Sequence, residues 1–232
     1  MKSIVQHSVT EIPNSLQFRA DNYTLYVLLF ILVSIVLIAL AKLSNAKSFS
    51  ILIESNSKGA TLEQFLRENM RTGSLASITL LINYYTSIFI LIFLVANKLY
   101  SFELKEAFLI AAITPLLLFI YEMTGVILVG LLTGEFKKIK SVLLVTITNN
   151  QLVGLLFFLI ALFWTLNPMF GAIFFKLVIT VLFIKLLVRS IKGFYIILNN
   201  GISLYYIILY FCTLEILPLV VFYYFFWIKW IR

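Results

Sequence analysis

Two glutamates lie inside long apolar segments of this sequence and are its clearest candidates for chemistry. Glu122 and Glu215 fall near the middle of such segments in a chain that is 62% hydrophobic with a mean hydropathy of +1.06. A carboxylate at the centre of a bilayer costs about 2.5–3.5 kcal/mol on insertion scales, so it usually faces other helices, a water-filled cavity or a partner. Two roles are open. The pair could hold a proton, as in a relay or a proton-coupled transporter, or each carboxyl could be protonated and fix helix packing through hydrogen bonds.

A second group of polar residues lies in the apolar segments that follow Glu122. Asn149, Asn150 and Gln151 need hydrogen-bonding partners if they lie in hydrocarbon, and with the glutamates they could line a central polar pocket. Alternatively, this run lies at the inner membrane interface. Lys176 could pair with a carboxylate, but its long side chain can also reach the outer headgroups, which we favour. The candidate intramembrane polar site comprises Glu122, Glu215, Asn149, Asn150, Gln151 and Lys176.

Composition excludes several other kinds of chemistry. The single cysteine, Cys212, and the single histidine, His7, cannot form a disulfide framework or a Cys/His metal site within one chain, so we expect no metal and no cofactor. No phosphate-binding loop, nucleophile elbow or zinc-protease motif is present, and we expect that the protein is not an enzyme. Although the net charge is +8, the basic residues cluster at the ends of apolar runs, which indicates contact with lipid headgroups and not with nucleic acid.

The apolar segments predict an all-α fold, a polytopic transmembrane helical bundle of about six spans. Each segment is close to the roughly 20 residues that a helix needs to cross the hydrocarbon core. The predicted spans are 24–41, 75–96, 107–133, 142–165, 170–188 and 203–228. In these spans Glu122 and Glu215 lie close to the membrane midplane, within about 5 Å of each other in depth. No cleaved signal peptide is evident, because Lys42 and not a small-residue cleavage site follows the first span.

The distribution of lysine and arginine predicts the orientation of the spans, because cytoplasmic loops carry the excess of basic residues. Eleven basic residues fall on one side: Lys42, Lys47, Lys58, Arg67, Arg71, Lys137, Lys138, Lys140, Lys185, Arg189 and Lys192. Six fall on the other side: Lys2, Arg19, Lys98, Lys105, Lys229 and Arg232. We therefore expect both termini to be periplasmic. The domains are an extracytoplasmic N-terminal tail at 1–23 and a six-span membrane domain at 24–232 with a cytoplasmic loop at 42–74.

Three further segments carry patterns typical of membrane proteins. Residues 61–70 place apolar side chains on one helical face, which predicts an interfacial helix on the inner leaflet or a helical extension of the second span. Gly130 and Gly134 have the GxxxG spacing of close helix contacts. The aromatic residues of 222–230 are typical of an interface belt at the end of the sixth span.

Several of these segments resemble a known family. The stretch Phe65-Leu-Arg-Glu-Asn-Met-Arg71, the segment Tyr121-Glu-Met-Thr-Gly125 and above all Cys212-Thr-Leu-Glu-Ile-Leu-Pro218 are similar to a Bacteroidota inner-membrane family known as domain of unknown function 4271. The resemblance covers the chain from about residue 25. It implies a polytopic helical protein of the cytoplasmic membrane, and it supplies no activity or catalytic residues.

These observations lead to two functional hypotheses from different classes. The first is a non-enzymatic integral membrane subunit of a larger inner-membrane assembly, such as one for envelope biogenesis or protein export, because the chain has little soluble mass and no catalytic motif. Its partners would be the lipid bilayer and other integral membrane proteins. The alternative is a small proton-coupled transporter that uses the intramembrane carboxylates Glu122 and Glu215. A lipid-acting membrane enzyme is the least favoured class.

Overall fold

The computed structural model consists of helices and short connections throughout the part of the chain that it describes, which is residues 22–57, 74–98, 100, 102–133 and 136–199. No strand occurs within these ranges. The helices, in chain order, are α1 (Asn22–Ser44), α2 (Ser48–Ser57), α3 (Leu75–Lys98), α4 (Leu104–Thr133), α5 (Phe136–Leu166), a single 3-10 turn (Pro168–Phe170) and α6 (Gly171–Asn199).

Five of the described helices are long and apolar enough to cross a membrane. Their apolar spans are Thr24–Ser44, Leu75–Lys98, Leu104–Thr124, Leu143–Leu166 and Pro168–Arg189. The predicted all-α transmembrane bundle is therefore confirmed, and each of the first five predicted spans corresponds to one helix. The sixth predicted span at 203–228 lies outside the described residues, as do the helix predicted at 61–70 and the aromatic segment 222–230. Gly134, one of the two glycines of the predicted close packing, also lies outside them.

The fifth span differs from the prediction at its end. The sequence places Arg189 and Lys192 in or next to a loop after residue 188, whereas α6 continues as one helix to Asn199. Basic residues usually mark the end of a span because charge is costly in hydrocarbon. Here the side chains of Lys185 and Arg189 are buried against other helices, so the helix does not have to end where the charges begin.

Helices α3 and α5 form the centre of the bundle. Within an apolar stretch of 18 residues in each span, 56% of the residues in α3 and 67% in α5 are buried, compared with 11% in α6. Phe157, Ala161 and Trp164 of α5 pack with Tyr84 and Leu91 of α3 in the main apolar cluster. Since lipid tails are as apolar as leucine, this close packing and the polar contacts between helices, more than removal of apolar surface from water, must specify the arrangement.

One glycine sets the distance between the two central helices. A Cβ atom added at Gly154 of α5 would lie 2.7 Å from Cα and 2.8 Å from Cβ of Tyr84 in α3. No other amino acid fits this contact without displacing the backbone of α3, because both of the atoms that it would meet belong to or adjoin the main chain. The close contact at Gly154 thereby fixes the position of the Tyr84 backbone relative to α5.

Helix α2 was not predicted from the sequence and lies within the predicted loop 42–74. Leu52 of α2 is buried in a small apolar cluster with Ala41 of α1, Leu80 of α3, and Leu144 and Val145 of α5. These residues lie near the end of α1 and the beginning of α3. Helix α2 therefore packs against the end of the bundle at which the connection between α4 and α5 also lies.

We expect Gly154→Ala to destabilise the bundle. The added methyl group must push α3 away from α5, and overpacking of this kind typically costs about 1–3 kcal/mol. Thermal unfolding of the purified protein in mild detergent measures the effect. Leu159→Ala is the matched control, since Leu159 lies on the same helix with its side chain 46% exposed. An unchanged unfolding temperature for Gly154→Ala, together with a normal Leu159→Ala variant, would contradict the close approach of the two helices.

Candidate functional site: a buried ion cluster around Glu122

Both carboxylate oxygens of Glu122 contact polar side chains of other helices. Glu122 lies in the second half of α4 and is 5% exposed. Its Oε1 lies 3.2 Å from Nζ of Lys185 and 3.7 Å from Nη1 of Arg189, both on α6. Its Oε2 accepts a hydrogen bond of 2.7 Å from Nδ2 of Asn150 on α5. The carboxylate thus joins α4 to two neighbouring helices at once.

The two cations of the site come from one face of α6. Lys185 and Arg189 are four residues apart, a spacing that brings side chains together on one face of a helix, and each is 7% exposed. Lys185 also donates a hydrogen bond of 2.5 Å to the hydroxyl of Tyr84 on α3. Its Nζ lies 4.7 Å from the centre of the Tyr84 ring, within the range of a cation–π contact. We call Glu122, Lys185, Arg189, Asn150 and Tyr84 the Glu122 cluster.

The polar run near the middle of α5 contacts three different partners. Nδ2 of Asn149 donates to the backbone carbonyl of Lys185 at 3.4 Å, and Asn150 donates to Glu122. Nε2 of Gln151 donates to the carbonyl and hydroxyl oxygens of Ser77 on α3, at 2.9 and 2.7 Å. Successive residues of a helix point about 100° apart, so three consecutive amides reach three neighbours. Through them α5 makes polar contacts with α3, α4 and α6.

The cluster combines ionic and neutral groups in a way that fixes helix positions. Taking charges out of water is costly, and their mutual attraction offsets that cost only when geometry is good and further hydrogen bonds are made. Here one carboxylate has two cations and an amide donor, and one of the cations has a phenol hydroxyl. No group of three His, Cys, Asp or Glu side chains that could hold a metal ion occurs among the described residues.

The structure brings together only part of the set of residues selected from the sequence. Glu122 and Asn150 are in direct contact, and Asn149 donates a hydrogen bond to the backbone carbonyl of Lys185. Gln151 is fully buried but faces Ser77 on α3. Lys176 is exposed on α6, as expected for a side chain that reaches the headgroups, and it does not join the cluster. Glu215 lies outside the described residues.

Glu122 and its partners lie well inside their helices. Helix α4 continues beyond Glu122 to Thr133. Asn150 lies near the middle of α5 (Phe136–Leu166), and Lys185 lies near the middle of α6 (Gly171–Asn199). The membrane depth of Glu122, expected near the midplane, stays a prediction.

Sequence reasoning missed Lys185, Arg189 and Tyr84 as members of the site. In the sequence, Lys185 and Arg189 fall at the end of the fifth predicted span and count as orienting charges. Their spacing was the available signal: two cations four residues apart at the end of an apolar helix lie on one face and can reach one carboxylate. Tyr84 could not have been identified, because nothing in the sequence separates it from the other tyrosines of the spans.

We expect Glu122→Gln to destabilise the protein strongly. The amide keeps the shape of the side chain but leaves two buried cations without their carboxylate, and removal of one partner from a buried ion pair typically costs about 3–5 kcal/mol. Glu106→Gln is the matched control, because it is the same substitution at an exposed position of the same helix. Thermal unfolding in detergent compares the two variants. Equal unfolding temperatures would show that the cluster does not contribute to stability.

A comparison with models of known protein families shows which family the chain belongs to. The model of the family described as Domain of unknown function (DUF4271) matches residues 27–226, which include every member of the Glu122 cluster. No curated protein and no solved structure matches the chain. The match covers most of the 232 residues. The chain therefore belongs to the DUF4271 family of membrane proteins.

Proposed function

We propose that this protein is a non-enzymatic integral subunit of a larger assembly in the inner membrane. The observation that carries the proposal is the pairing of Glu122: each of its two oxygens already contacts a donor from another helix of the same chain. A carboxylate held in this way acts as a fixed connection between helices. It is not presented to a substrate as an unpaired acid or base.

The outer surfaces of the helices supply a second line of support. In the described part of the chain, only 22% of the residues in an 18-residue apolar stretch of α1 and of α4, and 11% in that of α6, are buried. The exposed residues are mostly large and apolar, among them Phe119 of α4 and Phe183 of α6. Such surfaces can pack against lipid or against helices of other proteins. A helical bundle with broad lateral apolar surfaces is well suited to the role of a subunit.

The orientation proposed for the subunit places both termini in the periplasm. Lys185 and Arg189 are buried within the bundle, so they no longer count as loop charges. The nine remaining basic residues on the predicted cytoplasmic side still outnumber the six on the other side. Helix α2 would then lie at the cytoplasmic end of the bundle, against the end of α1 and the beginning of α3.

Recovery of the tagged native protein in mild detergent tests this function. We expect other integral membrane proteins to be retained in constant proportion and identified by mass spectrometry. Their identity would show whether the assembly serves envelope biogenesis or protein export. An unrelated polytopic membrane protein with the same tag and expression level is the control.

A protein that is recovered alone and migrates as a stable monomer would contradict the proposed assembly. Cross-linking in intact membranes shows whether the detergent removed the partners. Cross-linking before extraction should yield the same partners at the same ratio. Absence of partners in both preparations would reject the subunit function.

A second function, proton-coupled transport, is favoured by one specific observation. Lys185 and Arg189 approach the same oxygen of Glu122. Binding of a proton to the carboxylate of Glu122 would weaken its attraction to both cations and so change the contacts between the helices. Reconstitution into proteoliposomes that contain a pH-sensitive dye would measure proton movement. Transport predicts that Glu122→Gln abolishes the flux at a temperature below its own unfolding transition, where the variant is still folded, while Glu106→Gln leaves the flux unchanged. Absence of flux from the natural protein across a range of gradients and candidate solutes would remove this function.

A further inference from the structure

We propose that α1 and α3 bind water between them, at a buried site formed by Ser34, Asn83 and Ser87. The ligand is a small neutral molecule that both donates and accepts hydrogen bonds. The three residues lie outside the Glu122 cluster, and the inference does not depend on either of the functions proposed above.

The first argument is the way in which α1 lies against α3. Val27 of α1 and Ile90 of α3 line the same small cavity. Ala41 of α1 and Leu80 of α3 belong to the same apolar cluster. The beginning of α1 thus lies beside the end of α3, and the end of α1 lies beside the beginning of α3. The two helices are therefore antiparallel and pack together along their length.

The three polar residues lie opposite one another in the middle of this contact. Ser34 lies two helical turns from each of the two α1 residues, a spacing that keeps it on the face of α1 that packs against α3. Asn83 and Ser87 lie between the two α3 residues, one turn apart and on the same face as they are. The serine of α1 consequently lies at the level of the asparagine and the serine of α3.

The second argument is that these side chains are buried without hydrogen bonds. Ser34, Asn83 and Ser87 are each 0% exposed. Within the described part of the chain, no hydrogen-bond partner exists for either serine Oγ or for Nδ2 and Oδ1 of Asn83. By contrast, the buried hydroxyls of Thr79 and Thr148 donate to carbonyl oxygens of their own helices. Buried polar groups are costly without a partner, and ordered water commonly supplies the partner that the protein does not.

The chemistry of the site favours a neutral ligand over an ion. Helix α1 has no charged residue before Lys42, and α3 has none before Lys98. An ion bound between them would therefore lack a counter-charge from either helix, and an unpaired charge among membrane helices is costly.

Water matches the mixture of donors and acceptors that the site presents. The amide of Asn83 has two N–H donors and one acceptor oxygen, and each serine hydroxyl both donates and accepts. A water molecule likewise donates and accepts, and when buried it makes about three hydrogen bonds to polar groups of the protein. Because the three side chains are fully covered, a much larger ligand would require the helices to separate.

Water at this position would connect α1 to the rest of the bundle. Ser34 is the one buried polar side chain among the described residues of α1, and the other buried residues of α1 are apolar. Hydrogen bonds through water are nearly as favourable as direct ones. The bound water would thus add a hydrogen-bonded connection between α1 and α3 to their apolar packing.

Water-edited solid-state NMR of the full-length protein in lipid nanodiscs tests the inference directly. In this experiment, magnetisation passes from water to the protein groups that lie next to it. We expect it to reach the side-chain amide of Asn83 and the side chains of Ser34 and Ser87. Lys47, which is exposed between α1 and α2, is the reference for a group in contact with water. Leu94, buried in the apolar cluster of α3, is the reference for a dry position.

Two variants at neighbouring positions of α3 link the signal to the site. Asn83→Leu keeps nearly the same shape but cannot form hydrogen bonds, so we expect the loss of water transfer to Ser34 and Ser87. Ile90→Leu is the matched control, because it changes a buried side chain on the same face without removing a polar group. It should leave the transfer unchanged. Ser34→Ala is the smaller change to use if Asn83→Leu does not fold, and it should reduce the transfer to Asn83.

Signals of Asn83 and both serines that remain as weak as that of Leu94 in the natural protein would overturn the proposal. A high-resolution crystal structure that shows ordered water elsewhere in the protein provides a second measurement, which needs no variant. The proposal expects density for water within hydrogen-bonding distance of Oγ of Ser34 and of the amide of Asn83. Direct hydrogen bonds between Asn83 and the serines, without such density, would contradict it.

Discussion

A carboxylate buried among membrane helices needs partners, and this constraint determines the arrangement of the bundle around Glu122. Its oxygens contact Lys185 and Arg189 of α6 and Asn150 of α5. Because hydrocarbon offers no alternative partner, any displacement of α4 or α6 would leave at least one charge unpaired at a cost of several kcal/mol. The peripheral helices have little buried apolar surface of their own. The ion cluster therefore adds to the specificity that close packing gives to helices surrounded by lipid.

The central helices provide the geometry that the cluster needs. Gly154 allows α3 and α5 to approach closely, and the close approach places Tyr84 where its hydroxyl meets Lys185. Gln151 and Ser77 add a second polar contact between the same two helices. Sparse polar contacts of this kind are strong determinants of helix orientation in a bilayer, although each contributes only about 0.6–2 kcal/mol. The chain thus combines a closely packed pair, α3 and α5, with peripheral helices of which α4 and α6 are held by charge.

The sequence predicts the helices well because the physical signal for a membrane span is local. A run of about 20 apolar residues specifies a helix wherever it lies, and the first five spans follow from that rule alone. The site depends on which helix faces encounter each other, and this is not a local property. Glu122 and Asn150 stand out because polar groups in apolar runs are costly. Lys185 and Arg189 do not, because charges at the end of a span usually orient the helix, and only the three-dimensional structure shows them turned towards Glu122. Tyr84 is even less accessible to sequence reasoning, since its role depends on a glycine 70 residues away in the chain.

The central claim is that Glu122 and Lys185 attract each other directly within the bundle, and a charge exchange between them tests it most directly. The measurement is the thermal stability, in one detergent and at one pH, of Glu122→Lys, of Lys185→Glu and of the variant that carries both substitutions. Each single substitution places like charges together and should destabilise the protein severely, whereas the double variant restores an ion pair in reversed order. The account predicts that the double variant is more stable than either single variant. A double variant that is as unstable as the sum of the two single effects would contradict it.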